Sequence, residues 1–324
     1  PRIDYTGGGC PHILAEPQTT NLVTYSSDFS QWIPGGSTII EGGYLAPDGT
    51  NNAYKVSGSG SALTLGASLL TTTTRSIYAR TTSGTGQANL CSFNSNTNNL
   101  FTITEQWQRF EVNSAISTGV VNFYAVDFRG GTTLSEIILW GANATNDQDY
   151  ATSYIPTSGS TVTRNQDIFT RDGIGSLINS SEGVLFVEMA ALTDDTSFRA
   201  MSISDGTTSN RITLVYNGGI RVFNVVGGSV SSNINYTTTI TTTQKIAILW
   251  SSTSFKLWVN GVERGVISGV SIASNTLNKL SLDQGNGGNN MFAKVKQLQV
   301  YDTSLSDEQL LQLTGESGTD FYES

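Results

Sequence analysis

Charge is scarce in this chain. Its 324 residues hold 17 Lys+Arg and 26 Asp+Glu, 13% in all, against about 25% in an ordinary soluble protein. The surface must therefore be covered mainly by neutral Ser, Thr, Asn, Gln and Gly. A formal net charge of −9 repels polyanions, which excludes a nucleic-acid binder that tracks phosphates. His12 is the sole histidine, so a histidine dyad, triad or multi-histidine metal site would have to be built around it. It stands in the loop-like run Gly7-Gly-Gly-Cys-Pro-His12, where a structural role is expected. Cys10 and Cys91 are the only cysteines. They are too few for a disulfide scaffold, and their spacing leaves open whether they pair. No apolar run approaches the ~18 residues of a membrane span, and no basic-then-apolar leader opens the chain, so membrane insertion is not expected. The start at Pro1, without Met, reads as a processed or trimmed piece.

What is present is apolar residues in short, punctuated runs. Hydrophobic residues make up 37% of the chain, which also holds 34 Gly, an ordinary globular content; at roughly 150 residues per domain the length suggests two domains. In the first half, 21–25, 53–56, 76–79, 108–112, 120–127 and 137–140 read as strands, separated by turn chemistry such as Pro34-Gly35-Gly36 and Pro47-Asp48-Gly49. A second series follows at 184–191, 199–204, 211–216, 220–226, 245–250, 255–259 and 293–301. Asn217-Gly218-Gly219 and Asn260-Gly261 sit between alternating apolar runs, and Asn-Gly accepts the positive φ angles of a tight hairpin. One helix is expected, over 307–314. Ser306 caps it, Gln309 stands at the capping-box position, and Leu305 and Leu310 form a hydrophobic staple. The Pro- and Gly-containing stretch 153–161 reads as the linker. The fold class is all-β, two β-sandwich or jelly-roll domains spanning 1–160 and 161–324.

Two sets of motifs carry family resemblances. Phe255-Lys-Leu-Trp-Val-Asn-Gly-Val262, and 293–310 with its closing strand and Leu305-Ser-Asp-Glu-Gln309 helix start, resemble a concanavalin A-like (laminin G-type) domain. In the first half the stretches are Leu14-Ala-Glu-Pro-Gln-Thr-Thr-Asn-Leu22, Ala46-Pro-Asp-Gly-Thr50, Leu139-Trp-Gly-Ala142, Tyr150-Ala-Thr-Ser-Tyr-Ile-Pro-Thr157 and Thr161-Val-Thr-Arg164. They resemble the carbohydrate-binding-module-like jelly roll of bacteriophage tail and fibre proteins. The resemblance implies a tail-fibre or head-fibre type virion protein on the extracellular particle. It also implies host-surface glycans and other virion proteins as partners, and a homo-oligomer, with a trimer among the options.

Catalytic chemistry has little support. Some concanavalin A-like enzymes carry Glu-x-Asp-x-(x)-Glu on one strand, which places a nucleophile beside an acid; no such pattern occurs. Glu105 and Glu111 lie six residues apart, about 20 Å along a strand. Glu182 and Glu188 share that spacing, and Glu188 is expected to point outward on a half-exposed sheet. Asp194-Asp195 reads as a solvated loop. No hydrolase elbow or phosphate loop is present, so the chain is read as a non-enzyme. The alternatives are a secreted glycan-degrading enzyme or its binding modules, and a purely structural virion assembly module.

Neutral sugars are held by aromatic faces and uncharged hydrogen-bonding groups, both plentiful here. Phe255, Leu257 and Val259 share one face of a strand, which turns Trp258 and Lys256 to the other. On an open sheet these two would meet a glycan; otherwise a neighbouring segment covers Trp258. Tyr236 reads as a loop-tip aromatic, whereas Trp32, Trp107, Trp140 and Trp250 read as packing residues. The loop 282–290 is rich in oxygen donors, and Asn286 is a further glycan candidate. Asp283, Asn286 and Asn289 form a candidate Ca2+ set, although the loop lacks the alternating acids of a dedicated calcium loop and better suits a plain hairpin connection.

Overall fold

A computed structural model describes residues 2–4, 11–65, 72–92, 99–115 and 123–315. The chain divides into two compact units, one of Gln18–Asn165 and one of Pro1–Pro17 with Gln166–Ser324. Each is an antiparallel β-sandwich, and the one α-helix among the described residues is Asp307–Thr314. The fold is all-β, as the strand patterning implied.

The Gln18–Asn165 unit packs two five-stranded sheets. One runs Leu100–Ile103, Gly86–Ser92, Tyr124–Asp127, Ala62–Thr64 and Ile33–Pro34; the other runs Gln108–Ala115, Thr73–Arg80, Glu136–Thr145, Ala53–Ser57 and Ile39–Tyr44. Alternate residues of both sheets, among them Leu63, Leu90, Ile77, Ile137 and Leu139, meet in one core that Phe29, Trp32 and Phe123 complete. Trp32 is a packing residue, as its context implied. Positions 120–122 of an expected strand, and Cys10, lie outside the described residues; Cys91 is buried.

The other unit packs a seven-stranded sheet on a six-stranded one. The first runs Arg2–Asp4, His12–Ala15, Ala293–Tyr301, Gly183–Ala191, Gln244–Trp250, Phe255–Val259 and Val262–Ile267. The second runs Thr170–Arg171, Lys279–Ser281, Arg199–Ser204, Arg211–Tyr216, Ile220–Val226 and Ser229–Tyr236. Leu185, Val187, Ile246, Ile248 and Trp250 from one sheet face Met201, Ile203, Ile212 and Leu214 from the other. Both Asn-Gly hairpins form: Asn260 and Gly261 have φ of 50° and 76°, the twist a two-residue turn requires. The helix carries the full capping box between Ser306 and Gln309.

The domain limits differ from those expected. The N-terminal segment joins the second sandwich rather than the first: Ile13 pairs with Val295 and Leu14 with Lys294, and His12 is a strand residue opposite Asp4. Arg2 pairs with buried Glu16 and with Asp167, which ties both strands to the start of the Gln166–Ser324 segment. The stretch 153–161 is likewise not a free linker. Asn21 Nδ2 donates to the Ile155 carbonyl at 2.8 Å, Thr157 and Ser26 bond reciprocally, and Val162–Arg164 pairs with Thr19–Asn21. Its Pro and Gly mark irregular backbone that is still hydrogen-bonded, so the boundary falls at 165/166 instead of 160/161.

Candidate functional site

Trp258 does not face solvent. Its side of the strand is the outer face of the seven-stranded sheet, but the C-terminal helix lies over it. The indole is 8% exposed and packs with Val184, Phe186, Ala247, Leu249 and Leu310. Lys256 bonds Asp307 at the helix start and lies 3.6 Å from Glu263, so it fastens the helix and is not set out for a ligand. Strand parity gave the correct side, and the segment covering that side comes from some 50 residues further on. Tyr236 is no loop tip: it ends the strand Ser229–Tyr236, packs against the core, and lies under the Arg264 guanidinium, 4.4 Å from the ring centroid.

The 282–290 loop turns its oxygens to its own backbone. Asp283 is buried, and its Oδ1 accepts from the Gly285 and Gly287 amides. Asn286 Oδ1 accepts from Gly288 N at 3.1 Å, and Asn289 Nδ2 donates to Gln284 Oε1. Gly285 has φ 110°, and a Cβ there would lie 2.4 Å from the Thr207 carbonyl. These turns account for the loop's Asn and Gly without a cation. Among the described residues no group of three His, Cys, Asp or Glu side chains converges.

The acidic residues weighed for catalysis are engaged structurally, except Asp194, which is exposed in its loop. Glu188 is on the outer face as expected, yet it is buried and paired with Lys296 at 2.7 Å. Glu105 accepts from Gly84 N, Glu111 pairs with Arg109, Glu182 accepts from Ser304, and Asp195 holds Arg199. A cavity of about 190 Å³ opens between the two sheets of this unit. Ile13, Phe169, Leu280, Leu282, Val295 and Leu298 dominate its lining, so it lacks the converging polar groups that orient a sugar.

The outer face of the six-stranded sheet offers a better arrangement. Phe223 is 3% exposed because two arginines lie across it: the Arg211 and Arg221 guanidinium carbons are 5.4 and 5.2 Å from its ring centroid. Thr213 and Asn233 are the cross-strand partners of Phe223, and Val215 and Asn235 those of Arg221. Arg221 Nε donates to Asn233 Oδ1 at 2.8 Å, and both asparagines are exposed. Neither arginine forms an ion pair among the described residues. Burial pulls the Arg211 guanidinium below its ordinary value, opposed by the nearby Asp205 carboxylate. On a chain of net charge −9, this face reverses the local sign and presents guanidinium and amide donors beside a ring. Sequence reasoning passed over it because Arg211, Arg221, Asn233 and Asn235 come from three strands.

Residues 185–311, all within this unit, match the family model of the Concanavalin A-like lectin/glucanases superfamily. The unit therefore has the concanavalin A-like fold. Among solved structures, the chain is similar to the Ruminococcus gnavus IT-sialidase CBM40, with 15% identity and TM-score 0.38 over 46% of this chain and 99% of that one. Domain 4 of AbnA, a GH43 extracellular arabinanase from Geobacillus stearothermophilus in complex with arabinotriose, gives 13% identity and TM-score 0.38 over 52% and 84%. Sheep Galectin-11 in complex with glycerol gives 8% identity and TM-score 0.31 over 41% and 97%. Comparison with curated proteins gives no match.

Proposed function

We propose that this chain is a non-enzymatic adhesion protein that binds glycans through the Arg211–Phe223–Arg221 face of its lectin-like unit. The observation that carries the reading is a pair of arginines without ion-pair partners among the described residues, fixed on a buried ring and flanked by exposed Asn233 and Asn235. A guanidinium offers donors in a rigid fork that suits carboxylates and vicinal hydroxyls. Sugars bearing an acidic group are the preferred class, because the face is locally cationic on an acidic chain. The resemblance of the first-half segments to fibre proteins supports placing the chain on a virion as a homo-oligomer, with host-surface glycans as the target.

The test is a glycan array carrying acidic and neutral sugars, probed with the whole chain and with Arg221→Ala and Arg211→Ala. Selective binding of acidic glycans that weakens about tenfold or more in either variant supports the reading. Absence of binding, or binding that neither variant alters, refutes it. Light scattering of the purified chain reads the oligomeric state, and a monomeric mass would refute that part.

A further inference from the structure

The cavity between the seven- and six-stranded sheets has a cause in their strand order. The seven-stranded sheet runs on past Ala293–Tyr301 through His12–Ala15 and Arg2–Asp4, whereas the six-stranded sheet ends in Thr170–Arg171, a strand of two residues. A strand that short cannot cover the pair opposite it, so the sheets leave a gap of about 190 Å³ between them. Phe169, Leu280 and Leu282 line it from one side, and Ile13, Val295 and Leu298 from the other. All six belong to one compact unit. The Leu282 amide donates to the Phe169 carbonyl at 3.0 Å, which fixes the first wall.

The mouth of this cavity combines apolar side chains with one cation. Ile3 pairs across the strands with Ile13, so both turn to the face that the short strand leaves bare, and they are 54% and 40% exposed. Ile168, beside Phe169 in sequence, is 70% exposed. Arg171, the strand partner of Leu280, lines the cavity and is itself exposed, which sets it at the opening. The nearest acids in sequence are engaged elsewhere: Asp172 lies 3.7 Å from Lys279, and Asp167 holds Arg2. Arg171 forms no ion pair among the described residues.

We propose that this cavity takes the tail of a single-chain fatty acid whose carboxylate meets Arg171. Its volume exceeds the ~150 Å³ of an apolar cavity that admits benzene, and its lining offers a sugar none of the polar groups that would orient it. Burial of the tail against six apolar side chains supplies the affinity. A guanidinium fork fits a carboxylate, so an unpaired arginine at an apolar opening selects the acid over the alcohol of the same length. A protein partner would need about 1,000 Å² of interface, and three exposed isoleucines around one opening supply only a fraction of that.

The test is titration calorimetry of the whole chain with decanoate and with decanol, each kept below the concentration at which it forms micelles or separates. Saturable binding of decanoate is expected, with the negative heat-capacity change of apolar burial, and decanol should bind more weakly. Arg171→Gln should weaken decanoate about tenfold and leave decanol unchanged. Leu280→Trp and Ile13→Trp fill the cavity from opposite sheets and should abolish binding of both; one of the two with the parent melting profile is enough to read the result. Arg211→Ala should bind decanoate as the parent does, which separates this site from the glycan-binding face. No saturable binding of decanoate, or binding that the filling variants leave intact, overturns the proposal. Equal loss of decanoate and decanol in Arg171→Gln overturns the part given to the arginine. A dimer by light scattering that Ile13→Trp breaks, with no decanoate bound, would show that a second copy covers the opening, and would equally overturn it.

Discussion

Replacing Trp258 with alanine should cost stability and leave glycan binding in place. The indole is 8% exposed beneath the C-terminal helix. A tryptophan buries about 200 Å², which at about 25 cal/mol per Å² corresponds to about 5 kcal/mol. An unfolded chain already hides part of that area, so about 4 kcal/mol is nearer the real contribution. The indole Nε1–H is buried with no partner among the described residues, and deleting an unmet donor returns about 1 kcal/mol. The expected net loss is about 3 kcal/mol, at the lower end of the range for Trp→Ala in a core. For a unit of this size that lowers the melting temperature by about 6–12 °C. Calorimetry of the whole chain has a built-in reference, because the Gln18–Asn165 unit lacks this residue and its transition should stay fixed. Array binding measured well below the melting range should match the parent. A melting shift of less than a degree, or loss of binding with an unmoved transition, would refute the reasoning and return Trp258 to a ligand-facing surface.

Ser306→Ala removes one half of the capping box and should weaken the helix by about 1 kcal/mol, read as faster hydrogen exchange of the 307–314 amides and greater quenching of Trp258 by acrylamide. Burial pushes the Cys91 thiol up to about 12, so it stays protonated at pH 8 and should resist thiol reagents until the chain unfolds; rapid labelling of the Cys91 peptide in the native chain would contradict this. The hydrogen bond to Asp307 raises the Lys256 ammonium above its ordinary 10.5. The folded state therefore holds that proton more tightly. Its stabilisation is complete below about pH 10.5 and fades as pH climbs through the folded value. Unfolding measured from pH 9 to 12 should show that slope, and Lys256→Met should reduce it. Arg129→Ala strands the buried Asp127 carboxylate, which accepts from Arg129 Nε at 2.8 Å and Nη2 at 2.6 Å, and should cost about 2 kcal/mol in urea unfolding.

The amino-acid sequence by itself determined the local features. Period-two alternation put Phe255, Leu257 and Val259 into the core. Asn260-Gly261 closed the hairpin because its neighbours in sequence are its neighbours in space, and Ser306 with Gln309 started the helix within one turn. In each case the decisive energies act over fewer than about ten residues. Tertiary structure decided everything that depends on distant segments meeting. His12–Ala15 found its partner strand at Ala293–Tyr301, across almost the whole chain. Alternation told which side of the sheet Trp258 takes but not that a helix some 50 residues later would roof it. Tyr44, Tyr78, Trp107 and Trp140 cluster only because three strands and an adjoining turn meet, and nothing in the sequence brings them together. Arg211, Phe223 and Arg221 become one face only when two strands pair in register. A single strand fixes the direction of its side chains, and only the packed sheet fixes what lies across from them and what is left open to a ligand.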